Sequence, residues 1–326
     1  MERIERVQRV VRGQAVDRAP VSFWYHFTPD QVCGPAAVKA HLSHAETFDL
    51  DFLKVMNDNG YPHDGLLGAV EDLASLELLR GDEPTFARQL ELIAELKRKL
   101  DGRMLMTTTV FNAWATLRRL VRGPAKKHRP PNLDAAADQG TAILMDFLER
   151  DYAAVKQAIR VVGTSLRNFA KRCLEAGADG IFVSVRDDWL DGGGYGGQRY
   201  DELVRESDLE ILSGASEGEL NTLHVCGKAV DFQAFADYPV HVLNWADRAA
   251  GPSIREVSGV LKPAICAGVD NLSTLPNGTA ADCEREVADA LSQSGERPMM
   301  IAPGCTFNPD VVPQTNLEAM CRAARE

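Results

Sequence analysis

The sequence predicts an α/β protein folded as a (β/α)8 TIM barrel, one domain over residues 1–326 with an N-terminal helical extension. Three observations lead there. Eight short apolar runs recur along the 326 residues, amphipathic stretches lie between them, and no glycine-rich turn follows the first run. Short runs bounded by turn-forming residues have strand length, and strands alternating with helices build a parallel sheet covered by helices. An open doubly wound sheet is the alternative. It calls for a Gly-rich turn after its first strand, where this chain reads "WYHFTPD". The length suits two average domains, but α/β barrels reach it as one.

The opening "MERIERVQRVVRGQ" is charged and amphipathic, without the apolar core of a secretion signal. The strand candidates are 21–25 "VSFWY", 52–56 "FLKVM", 104–110 "MLMTTTV", 180–185 "GIFVSV", 221–225 "NTLHV", 240–245 "VHVLNW", 263–268 "PAICAG" and 298–302 "PMMIA". Helical patterns cover 84–100, 134–149, 151–176 and 279–294. Asp134 and Thr279 are candidate N-caps, and Gly102 and Gly177 candidate C-terminal stops.

Composition narrows the function. A net charge of −11 argues against general binding to nucleic acid or anionic membrane, which requires basic surface. The one basic cluster, "RRLVRGPAKKHR" at Arg118–Arg129, reads as a solvated helix end, or else as a local site for an anionic substrate. No 18-residue apolar run is present, so no membrane span is expected. Seven cysteines, an odd number scattered over a long chain, fit a reducing cytoplasm better than a disulfide framework.

A barrel carries its chemistry at the C-terminal ends of its strands. Those ends hold His26, Asp58, Asn112, Asp187 and Asp188, His224 and Cys226, Asp247, Asp270 and Cys305. His224 and Cys226 are two apart on a strand, so they share a face and can reach one ion. A third ligand must come from elsewhere. Cys266 lies inside a strand candidate, and Cys283 and Cys321 fall in helical patterns. Cys305, in "PGCTF", follows the last strand at the same barrel end, after a glycine that permits a tight turn. Each of the three alone reads first as a buried structural residue; together they read as a zinc site. Three protein ligands leave a fourth position open, the catalytic arrangement. Two cysteinates make the metal electron-rich, suited to holding a thiol as thiolate rather than to activating water. Asp247 is a candidate to fill the open position when no substrate is bound.

Other candidates are looser. Asp58, Asp187 and Asp247 are the candidate catalytic acids, with solvated loop acids as the ordinary alternative for Asp187. Asn112, Trp114 and Tyr195 are candidates to wall a broad cofactor site, although aromatic packing between barrel and helices explains Trp114 as well. The glycine-rich stretch at Gly192–Gly197 lacks the lysine of a phosphate loop and reads as a lid over the mouth.

These residues also carry a resemblance. "LHVCGKAVDF" and the tail "MMIAPGCTFNPDVVPQTNLEAMCRAAR" resemble the uroporphyrinogen decarboxylase superfamily. So do "GQAVDRAPVSFW", "FDLDFLKVMND", "TTTVFNAWATLRRLVRG" and "EAGADGIFVSV", so the likeness covers most of the chain. The resemblance implies a (β/α)8 fold and one of two chemistries. The decarboxylases bind a tetrapyrrole with arginines of an "RQAGRY" motif, use an aspartate after the second strand, and keep a histidine in a C-terminal "GHG". The cobalamin-dependent methyltransferases, such as those acting on coenzyme M, carry H-x-C…C and bind zinc. This chain sides with the second: His224 and Cys226 match H-x-C, Cys305 stands where the decarboxylase histidine would, and "FWYHFTPDQ" lacks the arginines. Asp58 matches the decarboxylase aspartate.

The expectation is therefore a cytoplasmic zinc methyltransferase. It would move a methyl group between a corrinoid (methylcobalamin or a separate corrinoid protein, since no cobalamin domain is visible) and a small-molecule acceptor, a thiol or tetrahydrofolate. Decarboxylation through Asp58 without metal is one alternative; a non-catalytic binding barrel with a structural zinc is another. The oligomeric state is left open.

Overall fold

The computed structural model describes residues 1–123, 133–186, 201–227, 230 and 232–326; of 133–138, 186, 201, 232 and 233 it describes the backbone only. A parallel sheet runs in chain order through β1 (Phe52–Val55), β2 (Leu105–Phe111), β3 (Gly180–Arg186), β4 (Thr222–Cys226), β5 (Val242–Trp245), β6 (Ala264–Val269) and β7 (Met300–Pro303). These are seven of the eight runs expected from sequence. The first, residues 21–25, forms isolated bridges instead, Val21 with Ile301 and Tyr25 with Phe307. It lies between the two sheet edges. On one side Ser22 N–H donates to Ile301 O and Ile301 N–H to Pro20 O; on the other Asp51 N–H donates to Val21 O. The run thus occupies the eighth position and joins β7 to β1.

Alternation along the strands sorts two cores. Odd-numbered β-branched and leucyl positions such as Leu53, Val183, Leu223 and Leu243 face the helices. Phe52, Leu105, Phe182, Val242, Ala264, Cys266, Met300 and Ala302 face the barrel axis. The helix α1 (Arg3–Val11) closes the N-terminal end of that axis with Val7 and Val10. It is anchored by buried charge. Asp51 accepts hydrogen bonds from Arg6, from both terminal nitrogens of Arg18 and from Val21 N–H, at 2.7–3.0 Å. The fully buried carboxylate is thereby paired on every side, as a buried charge requires. With that end plugged, access to the axis is left at the opposite end.

The outer layer follows the periodicity closely. Helices α2 (Gly34–Thr47), α3 (Pro84–Leu100), α4 (Ala113–Arg122), α5 (Leu133–Arg150), α6 (Tyr152–Glu175), α7 (Glu206–Ser213), α8 (Ala280–Ser294) and α9 (Gln314–Ala323) surround the sheet. Thr279 caps α8 in a capping box with Asp282. Asp134 does not cap α5, which starts one residue earlier; Asp151 caps α6 by accepting from Ala154 N–H. Gly102 and Gly177 adopt positive φ beyond α3 and α6, as helix stops do. Among the described residues no helix is long and apolar enough to cross a membrane.

Candidate metal centre

The register of the sheet sets the site. His224 on β4 lies opposite Asn244 on β5, and Asn244 opposite Cys266 on β6. All three face the axis. Asn244, fully buried, donates both amide hydrogens to carbonyls, Cys266 O at 2.7 Å and Pro303 O at 3.2 Å. That fixes its oxygen toward His224, whose Nδ1 lies 2.6 Å away. An amide oxygen only accepts, so Nδ1 carries the proton and Nε2 presents its lone pair. This outer partner is the device that orients metal-ligating histidines elsewhere.

Cys226 follows two residues on, on the same face. Cys305 arrives from the far side of the sheet. The chain leaves β7 and folds inward: Gly304 N–H donates to Val269 O at the end of β6, and Gly304 packs on Ala246 just past β5. A Cβ at Gly304 would stand 2.4 Å from Ala246 Cα, so only glycine passes. Cys305 Sγ then lies 3.4 Å from His224 Nε2. One donor atom from each of His224, Cys226 and Cys305 falls within 4.8 Å of the others. Ligand distances near 2.0–2.3 Å around one ion are compatible with such a triangle. The donor set therefore fits zinc, two soft thiolates and an imidazole whose other nitrogen is already bonded. Contact with Cys226, working against burial and helped by His224, holds the Cys305 thiol well below its usual pKa. Burial instead pushes Cys173, Cys266, Cys283 and Cys321 up, and keeps them as thiols.

The remaining expected residues fall elsewhere. Asp247 is not part of the triangle. Its carboxylate accepts from Gly268 N–H at 3.0 Å and lies 3.4 Å from Arg248 Nε. Burial pushes it up to about 6, against that hydrogen bond and the arginine charge. Asp58 is at the mouth, 2.6 Å from His26 Nδ1. Burial raises its carboxyl, but the His26 hydrogen bond and the charges of His26, Arg119 and Lys54 outweigh it, and the net shift is downward. It borders a cavity of about 460 Å³ over the ends of β1 and β2, walled by Tyr61, Phe86, Phe169 and Arg119. A larger groove of about 740 Å³ lies between α2 and α3 on the outer layer and touches none of the triad. Asn112 caps α4 and donates to Asp208, and Trp114 is buried in the helix-facing core. Neither lines the mouth cavity. Asp187, Asp188, Tyr195 and the run Gly192–Gly197 lie outside the described residues.

Sequence reasoning missed Asn244 and Lys54. Each is a polar residue at an axis-facing position of an apolar strand, between Val242 and Ala246 and between Phe52 and Met56. That alternation was the available signal.

Fold and site together define an α/β barrel with a thiolate-rich candidate metal centre at its C-terminal mouth. The chain belongs to the uroporphyrinogen decarboxylase (URO-D) family, whose model matches residues 55–326. No curated protein sequence matches it. Among solved structures, a methyltransferase from Methanosarcina mazei is 17% identical and aligns over 99% of this chain and 98% of its own, with a TM-score of 0.71. A B12-independent methionine synthase from Shewanella sp. W3-18-1 is more distant: 12% identity, 72% and 65% coverage, TM-score 0.46. At such identities the likeness to the Methanosarcina protein is one of fold.

Two predictions follow from the geometry. Asn244→Ala frees the His224 ring and should weaken zinc binding about 10- to 100-fold in a chelator competition; unchanged affinity would remove the amide from the site. Asp247 titrates higher in the folded chain than in the unfolded one, so its stabilising contribution is full below the ordinary carboxylate range. It is lost as pH rises through about 6. Relative to Asp247→Asn, the parent should lose about 3 kcal/mol of unfolding free energy between pH 3 and pH 7. Parallel pH profiles in denaturant titrations would show that the carboxyl is not perturbed.

Proposed function

We propose that this protein is a zinc-dependent methyltransferase that moves a methyl group between a corrinoid and a thiol acceptor. The observation that carries the reading is the triangle of His224, Cys226 and Cys305, with a thiol where decarboxylases of the family are expected to keep histidine. Family membership and the shared fold with the Methanosarcina mazei methyltransferase support it.

Zinc held by His224, Cys226 and Cys305 would supply Lewis acidity that lowers the pKa of an acceptor thiol toward neutrality. The chain's own residues do the rest. Asn244 holds the Nδ1–H of His224 and so aims Nε2 at the triangle. The two cysteines, half-buried while His224 is buried, leave one side of the triangle toward the mouth. The Phe182 ring stacks on His224, centroids 5.5 Å apart, and closes the axis beneath it. Water is thereby excluded from below, and charge interactions inside strengthen. The acceptor sulfur attacks the methyl carbon of the donor. In that transfer the corrinoid would supply the methyl group: a sulfur–carbon bond would replace its cobalt–carbon bond, the electron pair would stay with the corrinoid, and the thiol proton would leave to solvent. A separate corrinoid protein is the proposed donor, and tetrahydrofolate the alternative acceptor class.

Decarboxylation through Asp58 is the second reading. The His26–Asp58 pair at the mouth, which holds a carboxylate ionised in a partly enclosed position, favours it. One assay separates the two. Incubated with methylcobalamin and a panel of thiols, the zinc-loaded protein should demethylate the cobalamin, seen in its visible spectrum. Cys226→Ser and Cys305→Ser should lose both metal and at least 100-fold of the rate. Decarboxylation of uroporphyrinogen by metal-free protein, without demethylation, would reverse the assignment.

A further inference from the structure

Among the described residues, Lys54 is a buried cation with no anion bonded to it. It occupies the axis-facing position of β1 between Phe52 and Met56, both members of the inner core, and is 4% exposed. Its Nζ lies 3.9 Å from the centroid of Phe182 and 4.9 Å from that of Trp24, and the two rings meet edge to face. Among the described residues no hydrogen-bond acceptor and no carboxylate pairs with it. An ammonium is a compact, strongly hydrated charge, and ring faces return only part of its hydration. Burying an ammonium without a bonded anion costs stability that an apolar side chain at this position would not. Asp51, three residues earlier, shows the contrast: that buried charge accepts four hydrogen bonds, from Arg6, Arg18 and Val21 N–H.

The position explains the cost. Phe182, under Nζ, is the ring that stacks on His224, so Lys54 stands one aromatic layer from the metal triangle. We infer that Lys54 is the charge-balancing residue of the metal centre, offsetting the negative charge that a thiolate acceptor brings to it. The charge count rests on the methyltransferase reading. Two cysteinates and a neutral imidazole cancel a divalent ion; a third thiolate adds one uncompensated negative charge, in a low-dielectric axis where such a charge is costly. Lys54 restores neutrality without contacting the ligands. Electrostatics inside the barrel agrees. Burial lowers the ammonium, the Cys305 thiolate and then Asp58 oppose it, and the net position is about 7.

The test uses the full chain with Co2+ in the centre, whose sulfur charge-transfer and d–d bands report binding. Two probes differ in charge at the donor atom: 2-mercaptoethanol, bound as thiolate, and imidazole, bound neutral. In Lys54→Met the protein should still take up one Co2+ per chain and unfold at the same or a higher temperature. Its Kd for 2-mercaptoethanol should rise at least tenfold, while its Kd for imidazole stays within twofold. An equal change for both probes, or none, overturns the inference and leaves the metal reading standing. A parent protein that takes up no Co2+ overturns both. Lys54→Gln provides the same comparison should the methionine variant not fold.

Discussion

Asn244 holds four strands to one another. Its amide hydrogens go to Cys266 on β6 and Pro303 on β7, its own backbone belongs to β5, and its oxygen takes the Nδ1 proton of His224 on β4. Because the amide is saturated, it cannot rotate without leaving buried carbonyls unpaired. The tautomer of His224 is therefore set by the sheet itself. The bond to Pro303 also fixes where β7 ends, one residue before the glycine that sends Cys305 across the mouth. Ligand geometry and barrel register are in this sense one structure.

Much of this was legible in the sequence. Apolar runs with turn residues on both sides marked all seven strands, and helical period placed α3, α6 and α8 to within one or two residues. The first run has strand composition, yet it makes only isolated bridges, because its bonds are divided between β7 on one side and Asp51 on the other. His224 and Cys226 were legible because a two-residue spacing shares a face. Cys305 was legible from its place after the last strand, but the inward path was not, because it depends on the close approach of Gly304 to Ala246. Asn244 and Lys54 were hidden in apolar strands, where a single polar residue counts as noise until the alternation is mapped onto a closed barrel. Strand-end position marked Asp247 and Asn112, but not the bond from Gly268 N–H to Asp247 or the cap that Asn112 places on α4, because both depend on neighbours distant in sequence or on local backbone geometry.

The cysteines divide along the same physical line. Four of the seven are buried among apolar side chains and held as thiols, Cys33 is exposed, and Cys226 and Cys305 are half-buried, close together and beside an imidazole. The inner core near them combines a stacked aromatic, a lysine packed on two ring faces and a neutral amide. Such a composition costs stability, and proteins keep that kind of arrangement where charge must be managed during binding or reaction.

The central claim is that three protein donors hold one zinc and leave a position that a thiol can enter. X-ray absorption at the zinc edge reads it directly. The resting protein should show two sulfurs near 2.3 Å and one imidazole nitrogen near 2.0–2.1 Å with a light fourth atom, and added 2-mercaptoethanol should raise the sulfur count to three. A shell that already holds four protein donors, or a sulfur count unmoved by saturating thiol, would contradict the account.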